Sequence, residues 1–107
     1  MTEIVLLYCT TASVAEAEAI AQKVVGERLA ACANIIPGMR SVYWWQGKLE
    51  QGEEAVLILK TRSDLVEAAT AAVKAAHSYS VPCMLPLPVG QGGNPDYVAW
   101  LLAETKG

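Results

Sequence analysis

Three cysteines and a single histidine are the side chains of this sequence best suited to hold a metal. Cys9 ends an apolar run from Ile4, His77 follows an apolar helical stretch, and Cys83 stands just past Val81-Pro82. A neutral imidazole with one or two thiolates is a soft-to-borderline ligand set that suits copper or zinc. The ordinary alternative is structural. Cysteines at strand ends often serve as small core residues, and a histidine closing a helix can meet its last carbonyls and dipole. Cys32, set among alanines, reads as packing. An odd number of cysteines without CxxC spacing argues against both a disulfide framework and a structural zinc module.

Other chemistry is weaker. Glu50, Glu53 and Glu54 cluster near a turn and read as solvated carboxylates rather than an acid/base pair. Cys9 with His77 could pair as nucleophile and base, but no orienting Asp or Asn and no oxyanion loop can be assigned. Gly90-Gln91-Gly92-Gly93 lacks the lysine and the strand-to-helix setting of a phosphate loop. Trp44 and Trp45 face opposite sides of a strand without flanking basic charge, which speaks against stacking on nucleic acid. The chain is read as a binding protein, not an enzyme.

The elements that must position these residues follow from periodicity. Ile4 to Cys9 reads as a strand buried on both faces. Ser13 and Glu16 form a capping box for a helix with Ala17, Ile20, Ala21, Val24, Val25 and Leu29 on its apolar face, and Gly26 in its interior. Cys32 to Ile36 begins a long strand interrupted at Pro37-Gly38 and resumed at Tyr43 to Trp45. Gln46-Gly47-Lys48 turns it, with a further irregularity at Gln51-Gly52. Ala55 to Lys60 is a third strand. Ser63 or Asp64 caps a second helix, Val81 to Val89 is an extended edge with three prolines, and Asn94-Pro95 opens a last helix.

That order, β-α-β-β-α-β with a C-terminal helix, predicts a single α+β domain over residues 1–107, a ferredoxin-like sandwich with strand order 4-1-3-2. In this topology Cys9, His77 and Cys83 reach one rim of the sheet, and Cys32 lies at the opposite one. Met84 alternates away from Cys83. Strands one and three are apolar at every position, although a half-buried antiparallel strand should alternate. One short C-terminal helix cannot cover a whole sheet face, so the pattern predicts a homo-oligomer.

Composition narrows the partners. The 107 residues are 53% hydrophobic and 18% charged, with net charge −3 and no basic cluster, which argues against nucleic acid and anionic membranes. No run approaches the roughly 20 apolar residues of a membrane span. Met1-Thr2-Glu3 is not a basic leader, and a cytoplasmic location is expected.

Several ordered motifs together resemble the CutA divalent-cation-tolerance proteins over nearly the whole chain. They are Leu29 to Pro37, the Ser41-x-Tyr43-x-Trp45-x-Gly47-Lys48 arm, Glu54, Lys60-Thr61, His77-x-Tyr79-x-Val81-Pro82 and Tyr97-x-x-Trp100-Leu101. The resemblance implies a ferredoxin-like subunit in a homotrimer, a cytoplasmic setting, a link to divalent-metal tolerance, and copper binding at a Cys and a His that correspond here to Cys9 and His77. The usual His-Pro-Tyr-x-x-Pro-Glu motif departs here, because Cys83 stands where the glutamate would be. A thiol-rich site of Cys9, His77 and Cys83 would favour soft ions such as copper(I), with no organic cofactor. The alternative is a trimeric signalling or scaffold protein, resembling PII regulators in assembly, with a small molecule or partner in intersubunit clefts lined by Lys60, Tyr79 and Trp45. An acylphosphatase-type enzyme would need an arginine in the loop after strand one, and Thr10-Thr11-Ala12-Ser13 has none.

Overall fold

The computed structural model describes Glu3 to Lys106; the expectation about the Met1-Thr2 start lies outside the described residues. Four antiparallel strands, β1 (Ile4–Thr11), β2 (Cys32–Trp45), β3 (Lys48–Arg62) and β4 (Met84–Pro88), form one sheet in the order β2-β3-β1-β4. Three helices, α1 (Val14–Gly26), α2 (Val66–Ala76) and α3 (Pro95–Glu104), accompany it. The α+β class and the strand order match the sequence reading. The proline-rich β4 lies at an edge, where a missing N–H costs no ladder bond.

Burial on β1 alternates. Val5, Leu7, Cys9 and Thr11 are buried with Ala55, Leu57 and Leu59 of β3, against Ala17, Ile20, Val24, Ala69 and Val73 of the helices. The intervening Leu6, Tyr8 and Thr10 are only half-buried. Within one subunit, then, the apolar strands do not bury both faces, as their composition suggested. Their second face remains partly open.

The helix boundaries refine the sequence reading. Ser13 Oγ accepts from the Glu16 N–H at 3.1 Å, as a cap should, but Glu16 reaches back to the Ala12 N–H rather than to Ser13. Gly26 is the last residue of α1, not an interior one. Beyond it Arg28 takes a φ of 61°, and the bonds Leu29 N–H to Val24 O and Arg28 N–H to Val25 O complete a Schellman stop. Neither Ser63 nor Asp64 caps α2. Ser63–Leu65 forms a 3-10 turn without a side-chain cap, and Asp64 pairs with Arg62 at 2.9 Å.

The β2–β3 hairpin governs the shape of the molecule. Pairing with β1 stops at Ala55, whereas β2 and β3 stay paired out to Trp45–Lys48. About seven residues per strand therefore project past the sheet, roughly 23 Å at strand rise. The molecule measures 45 × 26 × 22 Å. Gln46 and Gly47, with φ of 50° and 79°, make the two-residue turn, in which both central residues are left-handed. The ladder runs unbroken through Gln51-Gly52, so the irregularity expected there is absent; the register shift falls between Ile36 and Met39.

Candidate functional site

The cleft is a product of that register shift. Two residues, Pro37 and Gly38, oppose Ala55 alone, and such a bulge reverses which side chains share a face. Before it, Asn34 and Ile36 lie opposite Ile58 and Val56; after it, Met39 lies opposite Glu54. Ser41, Tyr43 and Trp45 thereby share the sheet face of Glu54. With Thr10 and the Tyr79–Cys83 segment they bound a cleft of about 630 Å³.

Glu54 is its polar centre. Ser41 Oγ donates to Glu54 Oε1 at 2.6 Å, and Tyr79 Oη donates to Oε2 at 2.8 Å. Burial and the Glu54 carboxylate both push the Tyr79 phenol well above its ordinary range, so it remains a donor at neutral pH. Cys83 is half-buried, and burial followed by the negative charge of Glu54 raises its thiol pKa as well.

The segment that carries Tyr79 is held by two clasps. His77 Nε2 lies 2.8 Å from the Thr10 carbonyl, and the Tyr79 N–H donates to His77 Nδ1 at 3.0 Å. The proton therefore belongs on Nε2, a tautomer set by these partners. Glu16 adds the second clasp, accepting from Ala12 N–H at 3.0 Å and Ser78 N–H at 2.8 Å. Burial acts to raise the Glu16 pKa, but the hydrogen bonds from Ser78 and Ala12 outweigh it and hold the carboxyl below its ordinary value.

Cys9, His77 and Cys83 do come to the same end of the sheet. They do not stand as a ready ligand set. Cys9 is fully buried in the core, and burial, then the neighbouring Cys83, Glu16 and Glu54, push its thiol up to about 12. Both His77 nitrogens are engaged. Among the described residues no three His, Cys, Asp or Glu side chains gather as a metal-ligating group. Holding a copper or zinc ion would require these thiols to lose their protons and His77 to release a hydrogen-bond partner.

Of the residues expected in clefts between subunits, Tyr79 and Trp45 line this cleft within one chain and Lys60 does not. Lys60 lies six residues along β3 from Glu54, about 20 Å away at strand rise, and its Nζ is 3.3 Å from Tyr97 Oη. Cys32, opposite Lys60, is likewise remote. The residues missed from sequence are Ser41 and Glu54. The turn at Gln46-Gly47 fixes the hairpin register and puts both on one face, but an acidic residue beside a turn reads more readily as solvated.

The comparisons with known proteins agree in extent and fold. The family described as CutA1 divalent ion tolerance protein matches residues 5–104. The divalent-cation tolerance protein CutA of Escherichia coli is 44% identical over 102 residues, 95% of this chain and 90% of that protein. The chloroplastic CutA 1 of Oryza sativa is 43% identical over 95% of this chain, which spans only 57% of that relative. Location varies among the relatives: the rice protein is named chloroplastic, and one from Archaeoglobus fulgidus periplasmic. The crystal structure of CutA1 from Oryza sativa superposes with a TM-score of 0.93 at 42% identity, over 97% of this chain and 94% of that one. The divalent cation tolerance protein of Thermus thermophilus gives 0.89 at 42%, over 99% and 100%. With the fold, the extent and the motifs in agreement, this chain belongs to the CutA1 divalent ion tolerance protein family.

Proposed function

We propose that this protein acts in divalent-ion tolerance as a non-catalytic homotrimer of the cytoplasm, working by reversible binding in the cleft around Glu54. The observation that carries this reading is the cleft itself. A carboxylate held by two hydroxyl donors in an aromatic-lined hollow is built to recognise a ligand. It offers no activated nucleophile, since the nearby thiols and phenol are held protonated by burial and charge. Sedimentation and ligand titration of the wild-type protein test it. A species of three chains whose Trp45 fluorescence responds to a small ligand is expected; a monomer, or a Tyr79→Phe, Trp45→Ala double variant that binds as the wild type does, would refute it.

A second reading keeps the metal, copper or zinc at Cys9, His77 and Cys83, and is favoured by their convergence on one rim. Binding there requires the thiols to lose their protons and His77 to release the Tyr79 N–H. Affinity should therefore rise steeply with pH and protons should be released. Calorimetry of the reduced protein with copper(I) and zinc at pH 6 and 8, against Cys9→Ser and His77→Ala, decides. Equal affinity in all three proteins ends this reading.

A further inference from the structure

The charge of the cleft indicates what it binds, an inference that rests on reading the cleft as a ligand site. Among the described residues no Lys, Arg or His side chain lines it, and Glu54 is its one formally charged residue. Ser41 and Tyr79 are neutral donors, so they orient the carboxylate without cancelling its charge. The ion pairs among the described residues, Arg28–Glu104 and Arg62–Asp64, do not involve it. A carboxylate has about four acceptor positions, so two accepted bonds leave room for further donors. Tyr43 and Tyr79 stand on the Glu54 side of the cleft, with Trp45 farther out along the hairpin, and the electron-rich faces of such rings attract cations.

We propose that this cleft takes an organic cation: a quaternary ammonium, an amine or a guanidinium bearing an apolar body. Its head group meets Glu54 and the nearby tyrosine faces, while its body lies against Val81. Within one chain, a phosphate-bearing ligand would find the Glu54 charge and no cationic side chain among the described residues that line the cleft. A divalent metal would find one carboxylate and a few hydroxyls, short of the several oxygen donors it needs.

Calorimetry of the full chain at low and physiological ionic strength, with choline and agmatine as cations, ATP as the anion and magnesium as the bare metal, tests this. Binding of either cation is expected, weakened about tenfold by Glu54→Gln and by a similar factor by Tyr43→Ala, magnitudes typical of charge-assisted and cation–π contacts. Glu54→Gln retains the size and an acceptor oxygen, and an unchanged circular dichroism spectrum with unchanged assembly shows that the loss is one of charge. ATP binding in place of the cations overturns the ligand class while leaving the cleft as a ligand site. So does magnesium binding that depends on Glu54, or choline and agmatine affinities unaffected by Glu54→Gln. No binding by any probe overturns both.

Discussion

At the residue scale, His77, one of the candidate metal ligands, ties the segment that carries Tyr79 to the end of β1. His77 bridges Thr10 and Tyr79, and Glu16 bridges Ala12 and Ser78, so the turn after β1 and the segment after α2 are tied together. The convergence of Cys9, His77 and Cys83 was legible from topology. Their protonation and hydrogen-bond partners were not, because these depend on the path of a segment without regular structure. Glu16 gives this clasp a pH dependence. Its pKa is lower in the folded chain than its ordinary value of 4.5, so its stabilisation is present above that value and is lost as pH falls through the folded one. Glu16→Gln should remove up to about 1 kcal/mol at pH 7, discounted for partial exposure, and less at pH 3. Urea unfolding at both values measures this; an equal loss at both would contradict the clasp.

At the element scale, the bulge decides which side chains enter the cleft. Pro37-Gly38 announced a break in the sequence, but its consequence, the exchange of faces along the outer half of β2, required the register. Tyr43 and Trp45 share the sheet face of Glu54 only because one extra residue is accommodated there. Gly38 sits at a φ of 76° with open space around its missing Cβ, so backbone conformation alone resists substitution. Gly38→Ala should cost about 1–2 kcal/mol, read as a lowered urea midpoint, with Ser41 and Tyr43 held less firmly against Glu54. If Gly38→Ala is as stable as the wild type, the left-handed bulge is not a constraint on the fold. The length of β3 was underestimated for a related reason: Lys48 to Glu54 is polar and glycine-containing, and it is strand through hairpin pairing rather than burial.

At the scale of the whole molecule, one sheet face is finished by the helices and the other is not. Ile36, Leu85 and Leu87 are 50%, 57% and 47% exposed, beside half-buried Leu6, Tyr8 and Ile58. Trp44, at 73%, stands on the projecting arm. So much apolar surface, continuous across β4, β1 and the outer strands, is better suited to a subunit interface than to solvent. The uninterrupted apolar runs seen in the sequence make physical sense in those terms: alternate residues fill the subunit core, and those between them form the open apolar face proposed for assembly. Leu85, directly opposite Tyr8 on β4, offers a test. Leu85→Glu places a charge on the open face without entering the core, so it should spare the subunit fold while costing several kcal/mol at any interface that buries it. Sedimentation should then show single chains, against the three proposed for the wild type, with far-ultraviolet dichroism retained. A control, Glu18→Lys on the exposed side of α1, should leave the mass unchanged. Should Leu85→Glu sediment as the wild type does, the open sheet face is not what holds the chains together, and the projecting hairpins would have to do so alone.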